Sequence, residues 1–418
     1  MTDISDLKYG LIGKKLSHSF SPQIHLFLGN GDYRLIELEE NEIEDFFRES
    51  TFKGINITIP YKKTVIPFCD VLSEEARITG AVNTIVRLDD GKLFGDNTDC
   101  YGFTFLLDKN RIGVEGKKCL IIGEGGAARA VAYSLAKKNP SDISFLSHKN
   151  NRTDYINANL RGYEIIINAS PVGMYPGNGV SPVDLSLFDR PLAVIDLIYN
   201  PRKTALNYQA EKLGITCYGG MIMLAAQAAE SHKLFSGEKT DDGRIVKISK
   251  TVEYMNSNII LIGMPGSGKT TIGRKLASIL RKECFDSDEA FAMRNGITPA
   301  EYIKTNGENA FRIKESEIIR DLTKQSGIII STGGGAPVYS PNEYYLKQNS
   351  IVFFIKRNLS DLSRSDRPLS SIVSPEEMAS KRYPVYERLA DHSVDFTSSD
   401  ETASVIAEIY NTMVNKGN

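Results

Sequence analysis

The architecture of the chain is set by one segment, Ile259-Ile260-Leu261-Ile262-Gly263-Met264-Pro265-Gly266-Ser267-Gly268-Lys269-Thr270. Its first four residues are apolar and predict a buried strand, and the loop after them follows the pattern G-x-x-x-x-G-K-[ST]. In this pattern the backbone N–H groups and the lysine hold the phosphates of a nucleoside triphosphate at the start of a helix. The segment therefore predicts a P-loop nucleotide site; a loop with a purely structural role is the alternative.

A second glycine-rich turn lies upstream, where Gly123-Glu124-Gly125-Gly126-Ala127 follows the apolar run Cys119-Leu120-Ile121-Ile122. The turn is short, as in folds that bind a dinucleotide between a strand and a helix. We therefore expect two separate nucleotide sites, of different kinds, in one chain.

Length and composition indicate a globular protein of several domains. At 418 residues the chain exceeds the usual size of one hydrophobic core, so two or three domains are expected. Hydrophobic residues make up 41% and charged residues 24%, as in ordinary soluble proteins. No apolar stretch approaches the roughly 18 residues of a membrane span, and the N-terminus lacks a basic and then apolar signal pattern. The sequence predicts a cytoplasmic protein without a membrane partner.

Charge and cysteine content exclude further classes. The formal net charge is -2, so no global positive field would attract nucleic acid. The five cysteines are scattered singly without a C-x-x-C pair, which argues against a zinc site and against a disulfide framework. Any anionic substrate must therefore be bound by local basic residues.

The order of predicted elements indicates an α/β protein. Residues 53–60 alternate like a strand, residues 82–96 predict a hairpin, and strands alternate with helices from about residue 117. We predict an N-terminal α/β substrate domain in residues 1–102 plus 221–237, and a Rossmann-like, doubly wound dinucleotide domain in residues 103–220. Apolar runs that begin at 259, 328, 351 and 394 predict a P-loop kinase domain, with α/β/α layers around a parallel sheet, in residues 258–418.

The segment between these parts is polar and charged, with Lys239-Thr240-Asp241-Asp242-Gly243 near its start. We predict that residues 238–257 form a linker, in which Ile245, Val246 and Ile248 are compatible with a short strand. Residues 221–235 before the linker predict a single helix that packs back against the N-terminal region.

Three polar clusters occur at predicted strand ends in the N-terminal half. They are His18-Ser19-Phe20-Ser21-Pro22, Asn56-Ile57-Thr58-Ile59-Pro60-Tyr61-Lys62 and Asn97-Thr98-Asp99. Taken singly, each cluster is also explained as a turn or a helix cap. Three further motifs are Gly80-Ala81-Val82-Asn83-Thr84, Asn168-Ala169-Ser170-Pro171-Val172-Gly173-Met174 and Met223-Leu224-Ala225-Ala226-Gln227-Ala228. Together the series resembles shikimate dehydrogenase over residues 8 to about 237.

This resemblance implies a substrate site with a catalytic pair, Lys62 and Asp99. Hydride delivery to the carbonyl of 3-dehydroshikimate builds an alkoxide, and a lysine held by a carboxylate can donate the proton that neutralises it. A solvated surface lysine is the alternative for Lys62. The residues implied to hold the carboxylate and hydroxyls of the substrate are Ser19, Ser21, Thr58, Asn83, Tyr199 and Gln227.

The resemblance also implies that the Rossmann-like domain binds NADP. Glu124 departs from the family, which has a small residue there, and a carboxylate beside a pyrophosphate is unfavourable unless it points to solvent. The basic turn Asn151-Arg152-Thr153, expected near the 2′-phosphate, comes four residues later than in the family. The residues implied to contact NADP are Gly123, Gly125, Gly126, Ala127, Lys149, Arg152, Leu197, Gly220 and Met223.

The C-terminal region carries a second series of motifs after the P-loop. They are Phe285-Asp286-Ser287-Asp288, Gly307-Glu308-Asn309-Ala310-Phe311-Arg312, Ser331-Thr332-Gly333-Gly334-Gly335, Arg367-Pro368-Leu369 and Arg382-Tyr383-Pro384-Val385-Tyr386-Glu387. This series resembles shikimate kinase over residues 259 to about 413. The substrate of this region would then be the product of the other.

By this resemblance Asp288 binds the shikimate hydroxyls and accepts the proton of the 3-hydroxyl. Arg312 and Arg382 clamp the carboxylate, since a planar guanidinium suits a carboxylate, and Gly334 lies beside the ring. Helix-surface arginines in i,i+4 ion pairs are the alternative for both arginines.

The resemblance further implies ATP and Mg²⁺. Lys269 would neutralise charge on the transferred phosphate, while Thr270 and Asp286 would serve the metal. Only two residues separate Arg364 from the lid residue Arg367, fewer than in the family. The remaining contacts to ATP are implied for Gly266, Ser267, Gly268, Thr271, Arg364 and Arg367.

The main hypothesis is a bifunctional enzyme of aromatic amino acid biosynthesis, which reduces 3-dehydroshikimate with NADPH and phosphorylates shikimate with ATP. A chain in which one half has lost catalysis and acts as a ligand-binding or regulatory module is the alternative. A GTPase-like switch is disfavoured because its base-specific N-K-x-D motif is absent. The sequence leaves a homodimer open.

Overall fold

The computed structural model describes residues 7–147, 160–362 and 374–416. The chain divides into two compact units: the first comprises Met1–Asn200 and Thr204–Val252, and the second Pro201–Lys203 and Glu253–Lys416. Among the described residues, none of the helices has the length and apolar character that crossing a membrane would require.

The first unit begins with a mixed sheet of six strands in the order β2-β1-β3-β5-β6-β4. The strands are β1 Tyr9–Gly13, β2 Tyr33–Glu37, β3 Gly54–Ile57, β4 Val71–Leu72, β5 Thr84–Arg87 and β6 Leu93–Asp96. β1 pairs in parallel with β2 and β3, while β5 is antiparallel to both β3 and β6. The predicted hairpin at 82–96 is therefore confirmed, and its turn carries Gly91 with a φ of +85°.

A second sheet of the first unit has five parallel strands in the order β11-β10-β9-β7-β8. These are β7 Lys118–Ile122, β8 Asp142–Leu146, β9 Ile165–Asn168, β10 Ala193–Asp196 and β11 Cys217–Gly219. Helices cover both faces of such a sheet, which is why β7, β9 and β10 read as continuous apolar runs. The predicted doubly wound arrangement is confirmed.

The helices that lie within the first unit, as far as it is described, are α1 Ser21–Leu28, α2 Ile43–Glu49, α3 Glu74–Thr79, α4 Asp99–Lys109, α5 Gly126–Ala136, α6 Ala205–Lys212 and α7 Met221–Ser236. A further helix, α8 Asp242–Asn256, begins in this unit and extends past its last residue, Val252. The predicted helix at 221–235 is α7, which packs on α1 and α4 as expected. The boundary predicted between residues 102 and 103 falls inside α4, so the division of this unit into two domains stays a prediction.

The segment predicted as a linker contains a helix. Ile245, Val246 and Ile248 lie in α8, so the short strand considered for them is wrong. Ile245, Ile248 and Val252 follow the i, i+3, i+7 spacing of one helix face and are buried with residues of α1 and α7. Burial of this face explains why a polar segment folds.

The second unit is a parallel sheet of five strands in the order β13-β14-β12-β15-β16. Its strands are β12 Asn258–Ile262, β13 Cys284–Asp286, β14 Ile329–Ser331, β15 Ser350–Lys356 and β16 His392–Asp395. β12 lies at the centre and is buried along its whole length, as its sequence predicted. The predicted class is confirmed, whereas β13 was not predicted as a strand.

Helices flank this sheet, and short 3₁₀ turns occur in both units. The described helices of the second unit are α9 Lys269–Leu280, α10 Ser287–Asn295, α11 Pro299–Asn306, α12 Glu308–Leu322, α13 Asn342–Gln348, α14 Pro375–Leu389 and α15 Ser399–Lys416. The 3₁₀ turns are Glu40–Glu42, Ile66–Phe68, Leu185–Leu187, Ala336–Val338 and Leu359–Asp361.

Candidate active sites

Lys62 and Asp99 form an ion pair in the first unit. Lys62 follows the C-terminal end of β3, and Asp99 is the first residue of α4, where the positive end of the helix dipole favours a carboxylate. Lys62 Nζ lies 2.5 Å from Asp99 Oδ2, and the two side chains are only 17% and 10% exposed. Lys62 is therefore not the solvated surface lysine of the alternative interpretation.

Asn83 joins this pair to the helix α7. Its Nδ2 donates to Asp99 Oδ1 at 2.9 Å and lies 3.4 Å from Gln227 Oε1. Its Oδ1 accepts from the backbone N–H of Thr98 at 2.8 Å. Four residues that were predicted from separate motifs, Lys62, Asn83, Asp99 and Gln227, are thus brought together.

A buried hydrogen-bond network connects these residues to β3, β5 and α7. Asn56 Nδ2 donates to Thr84 Oγ1 at 3.0 Å and to Ser231 Oγ at 2.8 Å. Thr98 Oγ1 lies 3.1 Å from Ser231 Oγ and 3.4 Å from Gln227 Oε1. Ser231 belongs to none of the predicted motifs, although its position four residues after Gln227 on α7 places both side chains on one helix face.

The remaining predicted substrate residues of this unit lie on three other segments, around residues 19–21, 58 and 199. The backbone N–H of Ser21 donates to Ser19 Oγ at 3.3 Å, and the ring of Phe20 between them is 5.3 Å from the ring of Tyr199. Burial raises the pKa of Tyr199 to about 12, so its hydroxyl stays protonated. Thr58 is half-buried just after β3, where its backbone N–H donates to Ile12 O.

The turn between β7 and α5 has the geometry of an anion site. Gly123 has a φ of +120°, which favours glycine, and Gly125 at the helix N-cap provides no side chain to bond the first N–H groups of α5. These N–H groups fit a pyrophosphate. A Cβ on Gly126 would lie 3.3 Å from Lys62 Cδ, so the turn faces the Lys62–Asp99 pair. Glu124 is exposed, as the sequence analysis required.

The other predicted NADP contacts are distributed as follows. Gly220 lies against the backbone of Leu197, where a Cβ would come within 2.0 Å of Leu197 O. Met223 is buried in the apolar core that β7, β9 and α4 share. Lys149 and Arg152, like the rest of the turn Asn151-Arg152-Thr153, lie outside the described residues.

The second unit contains a cavity of about 620 Å³ at the C-terminal edge of its sheet. Its lining includes residues of the P-loop and of the strand ends, loops and helices around it: Gly266, Gly268, Lys269, Thr270, Thr271, Asp286, Asp288, Arg312, Glu315, Thr332, Gly333, Gly334, Gly335, Arg357 and Arg382. Most predicted residues of the C-terminal motifs therefore surround one space. Arg364 and Arg367 lie outside the described residues.

The P-loop lysine and threonine have different partners. Lys269 Nζ donates to the carbonyl oxygens of Gly263 at 3.0 Å and Met264 at 2.9 Å, and lies 3.4 Å from Ser267 Oγ. Thr270 Oγ1 donates to Asp286 Oδ2 at 2.6 Å. A hydroxyl and a carboxylate side by side are the oxygen ligands that Mg²⁺ prefers.

Arg312 is held by two carboxylates. Its Nη1 donates to Glu315 Oε2 at 2.6 Å and its Nη2 to Glu308 Oε1 at 3.1 Å. The i,i+4 pair of the alternative interpretation thus exists, but Arg312 also lines the cavity. Burial raises the pKa of Glu315 to about 7, against the lowering effect of Arg312. Gly335 leaves room for the guanidinium, because a Cβ there would clash with Arg312 Nη2.

Arg382 and Asp288, which we predicted to bind the carboxylate and the hydroxyls of shikimate, also line the cavity. Arg382 Nη1 is buried and finds no hydrogen-bond partner among the described residues. A Cβ on Gly333 would lie 2.7 Å from Asp288 Oδ1, so the glycine run approaches this carboxylate closely. Gly334 O accepts from the hydroxyl of Tyr386 at 2.5 Å. A buried, unsatisfied guanidinium N–H favours an anionic ligand at this end.

Two further residues of this cavity were not predicted. Glu315 lies three residues after Arg312 on α12, a spacing that places both on one helix face. Arg357 follows β15 directly, at the edge where parallel sheets bind ligands. The spacing of Glu315 from Arg312 and the position of Arg357 after an apolar run can both be read from the sequence.

Comparison with protein families and relatives agrees with this geometry. The model described as "Shikimate dehydrogenase substrate binding domain" matches residues 11–85, and the model "Shikimate kinase" matches residues 265–414. A shikimate dehydrogenase (NADP(+)) from Clostridium beijerinckii is 36% identical and is covered over 93% of its length by 56% of this chain. A relative of the same description from Pyrococcus abyssi is 39% identical, with 92% of it and 55% of this chain covered.

Solved structures resemble the same part of the chain. A chorismate mutase/shikimate 5-dehydrogenase fusion protein from Clostridium acetobutylicum has a TM-score of 0.53 at 33% identity, covering 59% of this chain and 97% of that one. Shikimate 5-dehydrogenase from Thermus thermophilus in complex with NADP(H) and shikimate has a TM-score of 0.52 at 28% identity, covering 59% and 99%. The chain therefore belongs to the shikimate dehydrogenase family through its N-terminal region and carries a shikimate kinase domain in its C-terminal region.

Proposed function

We propose that this chain is a bifunctional enzyme that catalyses two successive steps. The first unit reduces 3-dehydroshikimate to shikimate with NADPH, and the second transfers a phosphoryl group from ATP to the 3-hydroxyl of shikimate, on the route to chorismate and aromatic amino acids. The observation that carries the proposal is that each site keeps its reacting groups together: the Lys62–Asp99 pair in one, and Lys269, Asp288 and Arg312 around one cavity in the other.

In the first site, NADPH would supply a hydride to the carbonyl carbon of the substrate when bound. Lys62 holds a proton on Nζ and delivers it to the carbonyl oxygen as negative charge develops there. Asp99 accepts from Nζ at 2.5 Å and orients it, and Asn83 fixes the second carboxylate oxygen. The uncapped N-terminus of α5 holds the pyrophosphate of the cofactor.

In the second site, ATP with Mg²⁺ would supply the phosphoryl group when bound. Asp288 accepts the proton of the attacking 3-hydroxyl, while Arg312 and Arg382 bind the carboxylate of shikimate. Thr270 and Asp286 serve the metal. Mg²⁺ usually takes only one or two protein ligands, so the phosphates of ATP would supply further oxygens.

The proposal is tested by assaying each step on the purified full chain. The first assay follows NADPH oxidation with 3-dehydroshikimate; the second measures shikimate 3-phosphate formed from shikimate, ATP and Mg²⁺ by mass spectrometry. We expect Asp99→Asn to stop only the first step and Asp288→Asn only the second. Asp90→Asn, an exposed aspartate paired with Lys92, is the matched control and should leave both rates unchanged.

The outcomes separate the proposal from its alternative. If the wild-type chain binds shikimate but forms no phosphorylated product, the kinase domain is a binding module and the bifunctional proposal is wrong. If instead only NADPH oxidation is absent, the first unit is the binding module and the bifunctional proposal is likewise wrong. The cytoplasmic location and the homodimer stay predictions that these assays do not address.

A further inference from the structure

Ser231 on α7 uses its full hydrogen-bonding capacity inside the first unit. The residue is fully buried, and its hydroxyl donates to Gln227 O of the same helix at 2.9 Å. Ser231 Oγ also accepts from Asn56 Nδ2 at 2.8 Å and lies 2.8 Å from Thr84 Oγ1. A hydroxyl has one proton to donate and two lone pairs that accept, so these three short contacts saturate it.

The direction of these hydrogen bonds is set by Tyr33. Its hydroxyl donates to Asn56 Oδ1 at 2.7 Å, and burial raises the pKa of Tyr33 well above its usual value, so the proton stays in place. The amide of Asn56 therefore turns Nδ2 toward the hydroxyls of Ser231 and Thr84, which accept at 2.8 and 3.0 Å. Because the proton of Ser231 points to Gln227 O, the proton in the Ser231–Thr84 bond comes from Thr84.

Thr84 would otherwise compete for an oxygen of the candidate active site. Asn83 Oδ1 is close to three donors, namely the backbone N–H of Thr98 at 2.8 Å, Thr98 Oγ1 at 3.1 Å and Thr84 Oγ1 at 3.1 Å. An amide oxygen has only two lone pairs. Thr84 lies closer to Ser231 Oγ than to Asn83 Oδ1, so the serine takes its proton and the amide keeps both lone pairs for the other threonine.

The side chain of Thr98 is directed at Asn83 rather than at its own helix. Thr98 is the N-cap residue of α4, where a threonine ordinarily accepts from the first N–H groups, but its side chain accepts no such bond within the described part of the chain. With Oδ1 held by Thr98, Asn83 Nδ2 donates to Asp99 Oδ1 at 2.9 Å. A reversed amide would place its oxygen against that carboxylate and lose this hydrogen bond.

We propose that Ser231 is a positioning residue of the dehydrogenase site. By accepting the proton of Thr84, it keeps the amide of Asn83 turned so that Nδ2 holds the carboxylate of Asp99. The carboxylate in turn orients Lys62 Nζ at 2.5 Å. Ser231 gives no proton to the substrate and acts only through Asn83. This role presupposes the proposed dehydrogenase function.

Steady-state kinetics of NADPH oxidation by the full chain test this role. Ser231→Ala should lower kcat for 3-dehydroshikimate reduction about tenfold, because the hydrogen bond that fixes the amide is lost. The KM for NADPH should stay within about twofold, whereas a general loosening of the fold would change both constants. Ser231→Cys should be as slow as Ser231→Ala, because a thiol fills the space of the hydroxyl but is a weak donor and acceptor.

Ser249→Ala is the matched control for these variants. Ser249 is a buried serine of α8 whose hydroxyl also donates to a carbonyl of its own helix, Val246 O at 2.7 Å. Its replacement should leave kcat and the KM for both substrates unchanged. Thermal melting of every variant establishes that the chains compared are folded.

A double variant tests the link to Thr84. Thr84→Val removes the same hydrogen bond from its other side, so the double variant should be no more than about twofold slower than the slower single variant. The proposal is overturned if Ser231→Ala keeps the wild-type kcat, if cysteine restores it, if the KM for NADPH rises by the same factor, or if the two single losses multiply. Each of these results leaves the proposed function intact, since the wild-type chain still reduces 3-dehydroshikimate. A wild-type chain that oxidises no NADPH would overturn both.

Discussion

The two predicted catalytic lysines differ in what holds them. Lys62 is paired with the carboxylate of Asp99 at 2.5 Å, whereas Lys269 donates to two carbonyl oxygens of its own P-loop. A lysine beside a carboxylate is positioned to give up a proton at a fixed point. A lysine that donates to carbonyl oxygens of its own P-loop can exchange these contacts for contacts to the phosphate oxygens of a bound nucleotide. In the proposed function, the same side chain would serve proton transfer in one unit and charge neutralisation in the other.

The buried carboxylates extend this comparison. Asp196 in the first unit accepts from Asn168, Ile198 and Thr204, all uncharged donors, and burial raises its pKa to about 6. Glu315 in the second unit accepts from Arg312, and burial still raises its pKa to about 7. Asp196 lies at the end of β10 and bonds to the residues around it, while Glu315 holds the guanidinium of Arg312, which we propose binds the carboxylate of shikimate.

Removal of the proton donor should have the largest effect. Lys62→Ala should lower the rate of 3-dehydroshikimate reduction by roughly 10² to 10⁴, about 3 to 5 kcal/mol of barrier, because general acid catalysis is lost. Lys62→Arg should be nearly as inactive, since arginine retains the charge but does not release a proton. NADPH oxidation under saturating substrate measures both; an active arginine variant would show that charge alone suffices.

Lys269→Ala should affect only the kinase step. We expect kcat for shikimate phosphorylation to fall by about 10² to 10³, the typical effect of removing one group that stabilises transition-state charge. NADPH oxidation should stay at the wild-type rate, because the two lysines act in different sites. A variant that loses both activities would contradict the separation of the sites.

Asp196→Asn should change the pH dependence of stability. Because the folded-state pKa of about 6 lies above that of an unfolded aspartate, Asp196 stabilises the fold most at low pH and this contribution is lost as pH rises through 6. Relative to the asparagine variant, the wild-type chain should therefore lose about 2 to 3 kcal/mol between pH 4 and pH 8. Calorimetric melting of both proteins between pH 4 and pH 8 gives their free energies of unfolding. If the two free energies change with pH in parallel, the pKa of Asp196 is not raised in the folded chain.

Glu315→Gln should weaken substrate binding in the kinase without removing a reacting group. Arg312 would lose its shorter ion pair and keep Glu308, so we expect the KM for shikimate to rise about tenfold with kcat changed less than about twofold. Steady-state kinetics separate the two constants. Glu317→Gln, a partner of Lys314 on the same helix, is the control. A fall in kcat alone would place Glu315 in the chemical step instead.

The smallest effect is expected at the dinucleotide turn. Glu124 is exposed, so water and salt screen its carboxylate from the pyrophosphate. Glu124→Gln should lower the KM for NADPH by no more than about threefold, and by less at high salt. A larger gain would mean that the carboxylate faces the cofactor.

Both glycine loops and both lysines were predictable because each motif is short and local. The pairs Lys62–Asp99 and Thr270–Asp286 followed only from family resemblance, since their partners are far apart in sequence. β13 was missed because it has three residues, and only half-buried ones. The helix α8 within the predicted linker was not predicted, because its charged residues hid the i, i+3, i+7 spacing of Ile245, Ile248 and Val252.

Residues that act through others were the hardest to predict. Ser231 and Glu315 carry no motif of their own, and their roles depend on hydrogen bonds to Asn56 and Arg312. Arg357 is defined by its stacking on Phe396, which follows a different strand. Such contacts exist only in the folded chain, so a single sequence does not reveal them.

In the proposed function the two sites are complete and act independently, with shikimate passing between them by diffusion. The most direct test mixes equal amounts of the Lys62→Ala and Lys269→Ala full-length proteins with 3-dehydroshikimate, NADPH, ATP and Mg²⁺, and measures shikimate 3-phosphate. Neither variant alone should form it at an appreciable rate, and the mixture should, because one protein makes shikimate and the other phosphorylates it. A mixture that oxidises NADPH and accumulates shikimate without phosphorylating it would contradict the account.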